Sequence, residues 1–279
     1  MNDYSILINT CDKFEDCWDP FFKLFSIYWP DYNGTIYLNT EYKDYSYGSL
    51  KIVALKVAAG VDKFVRLTWS ECLIRALNKI DSSVVLYMQE DYFLKDNVKN
   101  DLVNKYVNMM KENSKIHCIH LTDQAVKAGK QSSELDGLYP VIVKQRYRIC
   151  CQAALWQKNT LLNYLKPYES AWQFEEFGSE RSVYLNHNFF VVDSNWVQLD
   201  KFEIIPYIFT GIIQGQWYKE IVPLFANNNI EMDYTKRGFF NAVQPRPISL
   251  KVKNQMKRIP VLFKHKVDLV RLMTKKMIS

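Results

Sequence analysis

A short apolar run that ends in two acids constrains the fold of this chain more than any other feature. Val84 to Met88 is continuously apolar and rich in β-branched residues, and Gln89, Glu90 and Asp91 follow it. Such a run is typical of a strand covered on both faces, and strands of that kind belong to parallel α/β sheets. Ligands of these sheets bind beyond the carboxyl ends of the strands, where Glu90 and Asp91 would lie. The alternative is that the two acids merely begin a solvated turn.

Strand and helix patterns alternate through the first half of the chain. Strands are predicted at Ser5–Thr10, Thr35–Asn39, Ile52–Leu55, Val84–Met88 and Ile116–Leu121. Helices are predicted at Phe14–Tyr28, Thr68–Ile80 and Val98–Glu112. This order predicts an α/β fold, with a mostly parallel sheet and helices on both of its faces. The pattern is less regular from about Asp123 onward.

The net charge of +6 is distributed unevenly along the chain. Residues 246–279 contain ten basic residues and one acid, Asp268, and so carry +9, which leaves −3 on the preceding residues. Apolar residues recur in this tail at helical spacing, with Lys264, Arg271 and Lys275 on another face. A basic amphipathic C-terminal helix is predicted, which suits the surface of an anionic membrane. The alternative is a helix packed on the body with its charges solvated.

Cysteine spacing and hydropathy indicate the compartment. The six cysteines form no Cys-x-x-Cys pair and no zinc spacing, and the run around Cys150 and Cys151 predicts a strand. No apolar stretch approaches the roughly 18 residues of a membrane span. We therefore expect a cytoplasmic protein, free or peripheral on the inner leaflet. Nucleic acid is not an expected partner, because stacking aromatics do not interleave with the basic residues.

Scattered positions along residues 4–240 resemble one family. They include Asn9–Phe14, Trp18, Pro20–Phe22, Trp29–Asp31, Trp69-Ser70, Ala76-Leu77, Gln89–Leu94, Ala154–Trp156, Trp172–Glu175, Gly178-Ser179 and Arg181. This pattern resembles bacterial glycosyltransferases with the GT-A fold, which occur among capsular-polysaccharide and lipopolysaccharide assembly proteins. The fold class that the resemblance implies is a GT-A-like, Rossmann-like sheet flanked by helices.

The resemblance also implies different functions for three segments of the chain. Residues 1–122 would form the half that binds a nucleotide-sugar donor, most often a UDP-sugar. Residues 123–245 would form the acceptor half of the same domain, and residues 246–279 the basic tail. The acceptor would be a hydroxyl of a glycan or of a lipid-linked oligosaccharide.

The family's cation ligands map onto the acidic strand end. GT-A enzymes usually hold Mg²⁺ or Mn²⁺ with an Asp-x-Asp motif, and hard cations of this kind prefer carboxylate and phosphate oxygens. The corresponding triplet here is Gln89-Glu90-Asp91, so that the first acid is missing. Asp91 is the first choice as metal ligand and Glu90 the second, and the departure leaves metal dependence open.

Other donor contacts are expected near the first strand and the second helix. Thr10 and Asp12 would face the base or ribose, with a helix cap as the alternative role of Asp12. Trp69 would stack on a base or sugar, or else pack in the core. Ser70, at the start of the second helix, would favour a phosphate.

Acceptor chemistry is expected around the densest polar cluster of the second half. Glu175 is the predicted general base of an inverting displacement, with Glu176 as its substitute. Arg181 would neutralise phosphate or orient the base. The alternative is a solvated helix start with an Arg–Glu pair one turn apart.

Two other function classes fit parts of the pattern. A non-catalytic glycan-binding or scaffold protein would explain the missing first acid of the triplet. An enzyme that makes the nucleotide sugar is less well supported, because no glycine-rich phosphate loop follows the first strand.

Overall fold

A computed structural model shows an eight-stranded sheet with helices on both faces. It describes residues 4–62, 64–122, 126, 128–129, 135–193, 197–198, 201–202, 204–242 and 248–278. The strands of the sheet are β1 (Ser5–Asn9), β2 (Ile36–Asn39), β3 (Ile52–Ala54), β4 (Val84–Gln89), β5 (Ile116–His120), β6 (Leu138–Pro140), β7 (Ala154–Gln157) and β8 (Asn188–Val192). Two short hairpins follow, from β9 (Val197–Gln198) and β10 (Lys201–Phe202), and from β11 (Ile212–Ile213) and β12 (Gln216–Trp217).

The order of the strands in space is β3-β2-β1-β4-β7-β5-β8-β6. β1 pairs in parallel with both β2 and β4, and β5 pairs in parallel with β8. β7 is antiparallel to its neighbours β4 and β5, and β6 is antiparallel to β8. The carboxyl ends of β1, β2, β4 and β5 therefore lie at one edge of the sheet, together with the segment that enters β7.

Seven α-helices accompany the strands in the described part of the chain. They are α1 (Trp18–Tyr28), α2 (Trp69–Asn78), α3 (Asn100–Glu112), α4 (Lys158–Tyr164), α5 (Ala171–Arg181), α6 (Ile221–Asn227) and α7 (Ile248–Ile278). Apolar side chains of α1 and α3 pack with Ile6, Ile8 and Leu86 on one face of the sheet. Those of α2, α4 and α5 pack with Leu7 and Val85 on the other face. Alternate residues of β1 and β4 thus point into two separate cores, as expected for a covered strand.

The predicted α/β class is confirmed, with a mostly parallel sheet, flanking helices and a C-terminal helix. All five predicted strands are present within one or two residues, and the buried run of β4 is covered on both faces. Thr68 caps α2 and forms the capping box with Glu71 that the sequence predicts. The predicted halves 1–122 and 123–245 both contribute strands to the same sheet. Their boundaries at 123 and 246 lie outside the described residues.

Two local predictions are wrong. The segment predicted as one helix from Phe14 begins as a 3-10 helix, Asp12–Cys17, and becomes α-helical only at Trp18. Phe14 has non-helical dihedral angles there, which separates the two parts. Cys150 and Cys151 lie in the irregular segment that precedes β7 and not in a strand. This irregular entry places their backbone at the carboxyl edge of the sheet.

Helix α7 packs against α5 at the end of the chain and contains Pro260. No helix among the described residues combines the length and the apolar character that crossing a membrane requires.

Candidate active site

Polar residues from several strands meet at the carboxyl edge of the sheet. Asn9 of β1 lies in register with Asn39 of β2 and with Gln89 of β4. The Asn39 side chain donates a hydrogen bond of 2.8 Å from Nδ2 to Oδ1 of Asn9. The residues that follow these strands, including Glu90 and Asp91, are therefore close neighbours, as the sequence predicts for a parallel sheet.

Hydrogen bonds to Asp91 hold the loop at residues 210–212 against the end of β4. Its Oδ2 accepts hydrogen bonds from Thr210 Oγ1 at 2.6 Å and from the Ile212 amide at 3.1 Å. Its backbone oxygen also accepts a bond from the Gly211 amide at 2.9 Å. Only glycine fits at position 211, because a Cβ atom there would lie 2.2 Å from the ring of Phe93. Burial raises the pKa of Asp91, and these hydrogen bonds oppose the rise.

Glu90 is buried without such support. Its side chain is 7% exposed, and within the described chain no side-chain donor forms a hydrogen bond to its carboxylate. Burial raises the pKa of Glu90 well above its usual range, and the Asp91 carboxylate raises it further. An ionised carboxylate in this setting is costly unless a cation or a set of donors compensates it. Glu90 is therefore the acid of the pair that lacks a side-chain donor within the described residues, and a backbone hydrogen bond only partly opposes the rise in its pKa.

Arg237 supplies a positive charge that acts on Glu90, and it is absent from the residues predicted from the sequence. Its Nε and Nη2 atoms bind Asp16 at 2.6 and 2.5 Å, and its guanidinium lies over the ring of Phe14 at 4.5 Å. The charge of Arg237 opposes the rise in the pKa of Glu90, so the two side chains lie close enough to interact. No local sequence pattern points to Arg237, because Asp16, the acid that positions it, lies 221 residues earlier in the chain.

The chemistry of the donor set suits a hard divalent cation. Two adjacent carboxylates offer oxygen ligands, and Mg²⁺ or Mn²⁺ commonly completes such a site with phosphate oxygens and water. Among the described residues, no group of three or more His, Cys, Asp or Glu side chains converges on one point. Glu90 and Asp91 would thus hold a cation together with a bound diphosphate and not by themselves. Because Asp91 is already fastened to the 210–212 loop, the geometry favours Glu90 as the principal ligand.

Glu175 lies on the other side of the same strand end. Its Oε1 accepts a hydrogen bond of 2.8 Å from the amide of Cys151, and Tyr92 Oη donates a bond of 2.7 Å to the carbonyl of Cys151. Burial raises the pKa of the Tyr87 phenol, and Cys151, Glu90 and Glu175 add to it. The backbone of Cys151 thus joins Glu175 to Tyr92, which follows the end of β4. Burial also raises the pKa of Glu175 itself, and the bond from Cys151 opposes the rise.

Thr10 and Asp12 lie at this edge and already bind protein groups. Trp18 Nε1 donates a hydrogen bond of 2.9 Å to Thr10 Oγ1. The Asp12 carboxylate accepts bonds of 2.9 Å from the amides of Glu41 and Tyr42, after β2. The cap of the 3-10 helix is Cys11, without a side-chain bond, so Asp12 joins the ends of β1 and β2 and does not cap the helix.

The remaining predicted donor residues lie in packed surroundings. Trp69 packs against Phe174 of α5, with the ring centroids 5.4 Å apart. Ser70 is 0% exposed, and its amide donates to the carbonyl of Glu169. The amide of Glu71, one residue further along the first turn of α2, donates a hydrogen bond to the Thr68 hydroxyl. The start of α2 is thus occupied by protein acceptors, and a core role replaces the expected phosphate contact of Ser70.

Arg181 and Glu176 also have partners other than substrate. Arg181 is 0% exposed and forms an ion pair with Glu169 through bonds of 2.5 and 2.7 Å. It cannot reach a phosphate from this position, so a structural role in joining α4 to α5 replaces the predicted one. Glu176 pairs with Arg258 of α7 at 2.6 Å, near the protein surface. Of the predicted acceptor-side residues, only Glu175 lies beside the strand end.

Comparisons with known proteins return structural similarity alone. No protein-family model matches this chain, and no curated protein matches it significantly. S. aureus TarS 1-349 is 14% identical with a TM-score of 0.42, over 68% of this chain and 57% of that chain. The same protein in complex with UDP-GlcNAc is 12% identical with a TM-score of 0.45, over 84% of this chain and 69% of that one. A structure of M. tuberculosis glucosyl-3-phosphoglycerate synthase is 12% identical with a TM-score of 0.41, over 89% and 91%.

In the first of these matches, the chain spans less than two thirds of the length of TarS 1-349. Identities of at most 14% and TM-scores of at most 0.45 carry no information about chemistry. What this site does must follow from its own residues.

Proposed function

We propose that this protein is a glycosyltransferase that moves a sugar from a nucleotide-sugar donor, such as a UDP-sugar, to a hydroxyl of a glycan or lipid-linked oligosaccharide. The observation that carries the proposal is the buried Glu90 carboxylate. It lies beside Asp91 at the carboxyl edge of a parallel sheet, without a side-chain donor in the described residues. A cation held by this acid together with a bound diphosphate would offset the cost of burying its charge. A surface-polysaccharide pathway is the setting that the sequence resemblance implies.

Each polar group of the site has a part in this chemistry. Glu90, with Asp91 beside it, would hold a divalent cation, which neutralises charge on the leaving diphosphate. Asp12 and Thr10, at the end of β1, would lie next to the nucleoside. Arg237, fixed by Asp16, would add positive charge on the same side.

Glu175 would act as the general base. Its carboxylate takes the proton of the acceptor hydroxyl while that oxygen forms a bond to the anomeric carbon of the sugar. The bond from this carbon to the phosphate oxygen breaks, and its electron pair leaves with the nucleoside diphosphate. The raised pKa of Glu175 brings it nearer to the working pH, which improves proton transfer. This displacement inverts the anomeric carbon.

A non-catalytic glycan-binding protein is the second candidate. The observation that favours it is Gln89, which replaces the first acid of the triplet and donates a long bond of 3.5 Å from Nε2 to the carbonyl of Cys151. Such a protein would not need a cation at Glu90, so cation-dependent nucleotide binding separates the two functions.

Calorimetric titration with UDP, with and without Mn²⁺, tests the proposal. We expect UDP binding that depends on Mn²⁺ in the wild type and that weakens at least tenfold in Glu90→Gln, the scale seen when a group that supports a metal site is lost. Glu231→Gln, an exposed acid, is the matched control and should bind like the wild type. If neither UDP, GDP nor CMP binds under any condition, the donor site is not at Glu90, and the glycan-binding function takes its place.

A further inference from the structure

Helix α7 is attached to the body by a narrow strip of contacts. His265 is fully buried, and its ring stacks on Phe177 of α5 with the centroids 4.0 Å apart and the planes at 10°. Its Nε2 lies 3.0 Å from Glu180 Oε2. Arg258, about two helical turns before His265 in α7, pairs with Glu176. Among the side chains of α7 that the structure describes, Leu269 is the buried apolar one. Over this described part of α7, the body covers one side of the helix.

A stripe of apolar side chains on α7 is left uncovered. Met256, Ile259, Phe263, Val270 and Met277 are each more than half exposed. At about 100° of rotation per residue, they fall within about 60° of arc, roughly 150° away from His265. We call this set the apolar stripe. Contiguous exposed apolar surface of this kind marks a binding site for a protein or a membrane.

Basic residues lie on the flank of α7 that is on the other side of His265 from the apolar stripe. Lys264, Arg271 and Lys275 fall roughly 100° from His265 on the other side of the helix, and all three are exposed. Residues 246–279 together carry +9. A second copy of the chain would bring the same charge against this surface, and repulsion would oppose that pairing. Charge complementarity favours an anionic partner.

The surface continues from α7 onto the body. A groove of about 460 Å³ separates the helix from a loop, with Lys144 on the loop side and Val270 and Met273 on the helix side. Ile142 and Val143, next to Lys144, are exposed apolar residues. Two elements that are distant in sequence thus present apolar and basic side chains next to each other, which suits a broad surface better than a single peptide.

We propose that the apolar stripe, the basic flank and the loop at Ile142 to Lys144 dock this protein on an anionic phospholipid bilayer. The apolar side chains would enter the interface between headgroups and acyl chains, and the basic side chains would lie among the headgroups. The proposal is independent of the chemistry at Glu90, because it rests on a different surface of the molecule.

Vesicle flotation of the full chain tests the proposal, with vesicles of phosphatidylcholine alone and of phosphatidylcholine with phosphatidylglycerol. Each basic residue near an anionic surface is worth about 1 kcal/mol, which corresponds to about a fivefold change in binding. We therefore expect Arg271→Gln with Lys275→Gln to weaken binding to the anionic vesicles by about 25-fold. Ile259→Gln with Phe263→Gln should also weaken it by at least tenfold, since two apolar side chains are lost from the interface.

Matched control variants test whether the loss of vesicle binding is specific to this surface or follows from replacing any exposed aromatic or basic residue. Phe64 is 97% exposed and Phe263 is 72% exposed, so Phe64→Gln removes a comparable aromatic from a different loop. Arg66→Gln with Lys219→Gln removes two exposed charges from the body. Neither control should change vesicle binding by more than twofold. Point variants are preferable to removal of α7, because removal would uncover the face of Phe177 that stacks on His265.

Three results would overturn the proposal. The first is equal binding of the wild type to neutral and anionic vesicles. The second is an equal loss of binding in the control variants. The third is unchanged vesicle binding in the Ile259→Gln, Phe263→Gln variant while sedimentation shows that a wild-type dimer has become a monomer. In that case a second copy of the chain covers the apolar stripe.

Discussion

Glu175→Gln is expected to lower the turnover for sugar transfer by about 10²- to 10⁴-fold, the usual contribution of a general base. The glutamine oxygen can still accept the hydrogen bond from the Cys151 amide, so that the local structure is kept while the proton acceptor is lost. Binding of UDP should stay within twofold of the wild type, because Glu175 acts on the acceptor. Acceptor-dependent release of UDP measures turnover, and calorimetry measures binding.

Glu176→Gln is the matched control for this experiment. It lies next in sequence, but its partner is Arg258 at the surface, and exposed pairs of this kind contribute about 0–1 kcal/mol to stability. Its turnover should equal that of the wild type. Full activity in Glu175→Gln together with lost activity in Glu176→Gln would transfer the role of the base to Glu176. Full activity in both variants would show that the base lies elsewhere.

Glu90→Gln is expected to raise the free energy of unfolding at pH 7. The folded-state pKa of Glu90 is raised, so the folded state holds this proton more tightly than the unfolded state does. The stability that proton binding contributes is full below the ordinary pKa of about 4.5 and is lost as the pH rises through the folded-state pKa. Glutamine does not titrate and so has no such loss. Above the folded-state pKa, the free energy of unfolding of the variant should exceed that of the wild type by about 1.4 kcal/mol for each pH unit between the two pKa values.

Urea unfolding of both proteins across this pH range measures the effect. The advantage of Glu90→Gln should be present at neutral pH and should disappear as the pH falls below 4.5, where the wild-type carboxyl becomes protonated in both states. Glu231→Gln, which changes an exposed acid, should show no such difference. A variant that is less stable than the wild type at every pH would mean that the Glu90 carboxylate has protein partners that support its charge.

These two properties of Glu90 belong together. If replacing Glu90 both stabilises the protein and removes nucleotide binding, then the wild-type residue lowers stability in exchange for function. The same variant also separates loss of binding from loss of folding, because a more stable protein that cannot bind UDP has lost only its site.

Most of the sheet could be predicted from short-range patterns. The run from Val84 to Met88 needs cover on both faces, and that requirement predicts a mostly parallel sheet with Glu90 at its carboxyl edge. The capping box of Thr68 and Glu71 is likewise a local signal, and the structure confirms it. These features depend on neighbours in sequence, which a single chain displays directly.

Long-range pairings explain what the sequence analysis missed. Arg181 was predicted to meet substrate, but the fold brings Glu169 to it twelve residues earlier in the chain and buries both. Arg237 lies 221 residues from Asp16, the acid that positions it, and no local pattern reveals that contact. The 3-10 segment before Trp18 has the apolar spacing of a helix, and only the dihedral angles of Phe14 show the break.

The position of a bound cation tests the central claim most directly. Crystals of the protein grown with UDP and Mn²⁺ would show the metal by anomalous scattering. We expect one strong peak within coordination distance of the Glu90 carboxylate, beside the diphosphate, and its loss in Glu90→Gln. A Mn²⁺ peak with its diphosphate at another place in the fold, or UDP bound at this edge without metal contact to Glu90, would contradict it.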